Sequence, residues 1–129
     1  MMNSYETYMQ SPDALSIEDV KAIYDEMRNS LAQCKVEYKE EIVKDLVESA
    51  CYYAGIRASW EYMTREKKVN DDKNRTSAHD SFIRNLDITA RMVEKEGCDI
   101  TWRIKLGDNR KKIGDFGCYI CWITAINNR

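Results

Sequence analysis

Four groups of residues in this 129-residue chain have types and spacings that could do chemistry. Asp115-Phe116-Gly117 is the tripeptide that holds magnesium in a protein kinase. Cys118-Tyr119-Ile120-Cys121 has the two-residue gap of a zinc pair or a redox disulfide. His79-Asp80 is the dipeptide of metal-dependent phosphohydrolases. The run "RIKLGDNRKK", residues 103–112, sets Arg103, Lys105, Arg110, Lys111 and Lys112 against one acid, Asp108. Its natural ligand is an anion: a phosphate, a nucleic-acid backbone or an acidic partner.

The first three lack the rest of their machinery. A kinase needs a glycine-rich loop, a strand lysine and a catalytic-loop Asp and Asn upstream, and the chain has none of them. Zinc takes four ligands, whereas there is one such cysteine pair and one histidine, His79. A thioredoxin-type site opens a helix after a strand, but Cys118 and Cys121 fall in mid-helix by periodicity. The five cysteines, an odd number, read as reduced thiols of a cytoplasmic protein. His79-Asp80 lacks the further histidines a metal would need, and Asp80 has Arg84 four residues on as a helical ion-pair partner. No catalytic residue, metal or cofactor is expected.

The basic run stays in play. Arg110, Lys111 and Lys112 stand in the first turn of a helix, where the macrodipole disfavours cations by a few tenths of a kcal/mol each. Local stability does not explain them. Solubility or an anion site does, and the candidate anion- or partner-binding residues are Arg110, Lys111, Lys112, Lys105, Arg75 and His79. Arg57 is a smaller anomaly, a cation on an apolar stripe between Tyr53 and Trp60, expected to reach past the rim, stack on Trp60 or pair with Glu61.

The elements that position these groups are helices. The single proline is Pro12, and between Ser16 and Gly97 only Gly55 interrupts, leaving no room for the turns a β-rich domain needs about every 8 to 12 residues. Val20, Ile23, Tyr24, Met27, Leu31 and Cys34 share one helical face, with Ser16 as N-cap. Tyr38, Ile42, Leu46, Ala50, Tyr53, Arg57 and Trp60 form the next stripe. One helix from Ile17 to Arg65 would be a rod of about 75 Å, against a radius of gyration near 14 Å for a compact domain of this length, roughly. A break within residues 29–38 is therefore expected.

A polar connector, "REKKVNDDKNR", leads to a third helix with Ala78, Phe82, Leu86, Thr89, Ala90 and Val93 on one face and Gly97 as its C′ residue. Trp102, Ile104 and Leu106 then plug the end of the core. A last helix, capped by Asp108, carries Ile113, Phe116, Ile120 and Thr124 on a stripe that Trp122 and Ile126 broaden, so it is central. Gly114 and Gly117 there admit side chains from neighbouring helices, and Asp115 reads as an early-turn acid favoured by the helix dipole. The predicted fold is all-α: a single-domain bundle of four main helices, about 17–34, 38–66, 74–96 and 109–127, with a short turn near 101–106. Residues 1–15 form a polar, flexible leader and 16–129 the domain.

Composition agrees, with 43% hydrophobic and 33% charged residues, too apolar for a disordered chain. No stretch reaches the roughly 20 apolar residues of a membrane crossing, and the N-terminus lacks the basic and apolar regions of a signal peptide. Charge is uneven: residues 1–50 sum to −6 and residues 51–129 to +4, as expected of acidic and basic faces that lie side by side.

With "RTSAHDSFIRNLDITARM" and "KIGDFGCYICWI", the chain resembles, over residues 75–129, an uncharacterised family of small all-helical bacterial proteins found in Gram-positive genomes and mobile elements. The resemblance implies a helical fold and a bacterial cytoplasm, and supplies neither an activity nor site residues. The resulting expectation is a non-catalytic interaction or regulatory module that binds a protein partner or itself as a homodimer. Eight tyrosines and three tryptophans suit an interface. A nucleic-acid or phosphate binder using residues 103–112 is the alternative, and a small hydrolase or metal-binding protein a second one. The net charge of −2 weighs against nucleic acid.

Overall fold

Apolar side chains recurring at helical pitch need partner helices to cover them, and five helices among the described residues meet that need. The structure, a computed structural model, describes residues 16–60 and 62–127. The helices are α1 (Ile17–Gln33), α2 (Lys39–Trp60), α3 (Arg65–Lys95), α4 (Thr101–Leu106) and α5 (Arg110–Asn127), with no strand among the described residues. The all-α bundle is as periodicity predicts. The leader expected over residues 1–15 lies outside the described residues.

The break between α1 and α2 falls at residues 34–38, inside the expected window. Cys34 turns extended, and the Lys39 ammonium reaches back to the Leu31 carbonyl at 2.8 Å, satisfying one of the carbonyls that end α1. At the end of α3, Gly97 adopts φ +76° and the Cys98 N–H returns to the Val93 carbonyl at 2.9 Å, the left-handed C′ glycine that the sequence calls for. Ser16 stands at the N-cap of α1, but its side chain makes no capping bond.

The most extensive interface joins α2 to α3, followed by α2 to α5, while α1 is held by α4 and α5. Phe82, Leu86, Trp102, Leu106, Ile113 and Phe116 are among the fully buried side chains, each contributing about 1.5–3 kcal/mol from removal of apolar surface. On α5 every residue from 113 to 121 is buried, which makes it the central helix.

Three expectations need correction. The predicted connector 65–75 is helical: α2 stops at Trp60, and α3 starts at Arg65, not near 74. Thr64 caps it by accepting the Lys67 N–H at 3.1 Å, and Lys67–Asp71 and Arg75–Asp72 pair along its surface, so cap and charge pairing replace the missing apolar stripe. Asn109, not Asp108, caps α5, its Oδ1 accepting the Lys112 N–H at 3.0 Å. Trp102 and Leu106 do plug the core, but Ile104 projects into solvent, because α4 is a helical turn and places position 104 on the opposite side.

Candidate anion-binding site

The site is built on an ion pair that joins α2 to α5. Arg57 Nη2 lies 2.7 Å from Asp115 Oδ1, with the Arg57 side chain 15% exposed and Asp115 fully enclosed. A carboxylate this deep persists only with a charged partner at hydrogen-bond distance. Asp115, read from the sequence as an early-turn acid favoured by its own helix, also serves a residue of a neighbouring helix, and Arg57 turns its charge inward to meet it. Glu61, its third expected partner, lies outside the described residues.

Gly114 makes room for the pair. A Cβ at this position would overlap the Arg57 guanidinium and come within 2.7 Å of Tyr53 Oη. Three residues on, a Cβ at Gly117 would press on the Phe82 ring at 3.1 Å. The close-approach role of both glycines is thus met, one by a cation and one by an aromatic ring.

His79 is buried on α3 and faces Tyr53 edge-on, the ring centroids 4.9 Å apart. Its Nε2 donates to the Arg110 carbonyl at 3.0 Å, since a carbonyl can only accept. Burial lowers the pKa of His79 below its ordinary 6.5; the Arg110 hydrogen bond opposes this, and the charges of Arg110 and Arg57 reinforce it. Burial likewise raises the Tyr53 hydroxyl pKa, against a lowering pull from Arg57. Both rings are therefore neutral near pH 7.

Above these groups opens a polar pocket of about 270 Å³ where α2, α3 and α5 meet. Arg57 and Tyr53 come from α2, Arg75, Thr76 and His79 from α3, and Arg110 and Lys111 from the start of α5. Arg75 stacks over Trp60 with 4.5 Å from guanidinium carbon to ring centroid, and also pairs with Asp72. Arg110 pairs with Asp80 at 3.3 Å, a partner the sequence had assigned to Arg84. Among the described residues Lys111 has no acidic partner. The Asp72 and Asp80 pairs are exposed, worth at most about 1 kcal/mol each, so both arginines can turn their donors to an incoming anion.

The structure brings four predicted residues, Arg75, His79, Arg110 and Lys111, to one pocket. The other two are engaged elsewhere: Lys105 pairs with Glu26 of α1 at 2.9 Å, and Lys112 donates to the Lys105 carbonyl at 3.3 Å. Arg103, from the same run, bonds Asp87 at 2.7 Å and the Gly107 carbonyl. The basic run is thus divided between the pocket and structural pairs. Arg57, Tyr53 and Thr76 were missed; the signal available was the cation on the apolar stripe, four residues after Tyr53.

Cys118 and Cys121 are buried in α5. Burial pushes the Cys118 thiol up to about 12, outweighing the lowering effect of Arg57. Half-buried Cys51 of α2 is shifted down by a hydrogen bond from Cys121. No group of three or more metal-ligating side chains occurs among the described residues. A larger cavity of about 540 Å³ between α1 and α2 is walled by Leu31, Val43 and Val47 with scattered charges of both signs. It offers apolar surface, not convergent chemistry.

Fold and site together define a class: an all-α bundle with a donor-rich cationic pocket at the junction of three helices. No family model matches the chain, and no curated protein or solved structure is significantly similar to it. No described helix is long and apolar enough to cross a membrane.

Proposed function

We propose that this chain is a non-catalytic binding module of the bacterial cytoplasm that engages its partner through a phosphate-class anion seated in the pocket between α2, α3 and α5. One observation carries this reading: side chains with cationic donors, from three separate helices, converge on a cavity of about 270 Å³. Guanidinium forks suit the bidentate geometry of phosphate. The start of α5 adds its positive dipole end. Asp72 and Asp80 at the rim interrupt the positive surface, which favours a single anionic group over a length of nucleic-acid backbone.

Titration of the isotopically labelled protein with inorganic phosphate tests it. Amide shifts are expected at Arg75, Thr76, Arg110 and Lys111, with affinity falling as salt rises. Lys111→Ala together with Arg75→Gln removes two charged donors and is expected to weaken binding at least tenfold, roughly. Shifts scattered over the surface, or unchanged affinity in the double variant, would refute the reading.

A second reading, self-association, is favoured by Tyr62 and Val69, which are 71% and 70% exposed at the α2–α3 end. Light scattering of the parent beside Tyr62→Ser/Val69→Ser checks it: a dimer that the double variant abolishes supports self-association, and a parent that is monomeric throughout excludes it.

A further inference from the structure

The cationic side chains of the pocket are all donors without acceptor capacity, yet one buried acceptor sits among them. His79 is 4% exposed. Its Nε2 hydrogen is committed to the Arg110 carbonyl at 3.0 Å, and a neutral imidazole carries one donor and one acceptor, which leaves Nδ1 with a lone pair. No hydrogen-bond partner meets Nδ1 among the described residues, and the atom itself is closed to solvent, so a ligand group reaches it only as the surrounding side chains shift. Buried polar atoms are rarely left in this state, because an unmade bond costs the group its full desolvation. A doubly ionised phosphate monoester would occupy the arginine and lysine donors, and its phosphate group has no hydrogen to offer this nitrogen.

We infer that the pocket selects phosphate monoesters that carry a hydroxyl on the carbon next to the ester carbon, with the phosphate held by Arg75, Arg110 and Lys111 and the hydroxyl hydrogen donated to His79 Nδ1. Tyr53 fixes the acceptor in place, its ring standing at 81° to the imidazole. The chemistry is shared by glycerol and sugar phosphates and by ribonucleotide 3′-phosphates. The inference rests on the anion reading above and adds a donor requirement to it.

Two ligand pairs that differ by one hydroxyl test it by calorimetry at pH 8, where the phosphates are doubly ionised. They are propane-1,2-diol 1-phosphate, the glycerol phosphate skeleton with its far hydroxyl removed, against 1-propyl phosphate, and adenosine 3′-monophosphate against its 2′-deoxy analogue. The parent is expected to prefer the hydroxyl-bearing member of at least one pair by about five- to tenfold, the value of one neutral hydrogen bond at a site otherwise unsatisfied. The pair with the larger preference identifies the source. His79→Phe is expected to abolish the preference while propyl phosphate still binds. His79→Gln, which keeps an N–H and a carbonyl acceptor, is expected to retain it, and serves alone if the Phe variant does not fold. Equal binding within both pairs by the parent, or a preference that survives in His79→Phe, overturns the inference and leaves the anion reading standing. Binding of no phosphate at all overturns both.

Discussion

Arg57 on α2 and Asp115 on α5 meet at 2.7 Å in the interior, and Gly114, the residue before Asp115, is what lets them meet. The pair anchors the central helix to its principal neighbour and floors the cationic pocket. Its removal is expected to be costly and its replacement much less so. Asp115→Leu removes the charge that faces a buried guanidinium and should lower unfolding free energy by about 3–5 kcal/mol. Arg57→Met/Asp115→Leu exchanges both charges for apolar groups and should lie closer to the parent than either single variant. Urea denaturation of the four proteins gives the coupling energy directly.

Glycine-to-alanine exchanges should act with opposite sign at two helical positions. Gly55 is exposed on α2 and an added Cβ meets nothing within 4 Å, so Gly55→Ala should stabilise by about 0.5–1 kcal/mol through helix propensity. Gly114→Ala carries the same propensity gain but drives a methyl into Arg57 and Tyr53, and should be net destabilising, with over-packing of about 1–3 kcal/mol. Thermal unfolding of both variants beside the parent decides the point.

Acid should weaken the fold through His79. Its pKa is lowered by burial in the folded state, while the unfolded chain titrates near 6.5. Above that pH both states are neutral and the residue contributes no pH dependence. As pH falls below it, the unfolded chain binds a proton that the folded one refuses, so stability declines until the folded pKa is passed. The urea midpoint is expected to drop more steeply from pH 7 to 5 in the parent than in His79→Phe, which lacks the titrating group.

Thiol reactivity should rank the cysteines by environment. The Cys118 thiol, pushed up to about 12 by burial, should resist iodoacetamide at pH 8 for as long as the chain stays folded. Cys51, half-buried and shifted down by its hydrogen bond from Cys121, should be alkylated well before it. Peptide mass mapping over a time course reads the order, and full labelling in denaturant is the control.

Much of the bundle was legible because burial imposes a period. The stripes on α1 and α2, the crowded α5 and the C′ glycine at 97 are direct consequences of covering apolar faces and closing helix ends. The first turns of α3 were not, since residues 65–77 bury no side chain and are held by Thr64 and surface ion pairs. Hydrophobic periodicity is silent about such a segment. The pocket was half legible. Arg75, His79, Arg110 and Lys111 were recognisable as donors, but sequence proximity grouped Arg110 and Lys111 with Lys105 and Lys112, which the helical turn directs elsewhere. Arg57 and Asp115 each have a plausible local role, and only the packing of α2 on α5 reveals that each answers the other.

The position of α5 sets an order on assembly. The helix around which the others gather is translated after all of them, so a nascent chain ending before residue 110 holds amphipathic segments with their common core still missing. Its principal neighbour, α2, lies some fifty residues upstream or more, and closing so long a loop slows folding relative to bundles of sequential hairpins, roughly in proportion to contact order. Folding of this unit should therefore wait on α5, with the preceding helices open to chaperones until its turns are made.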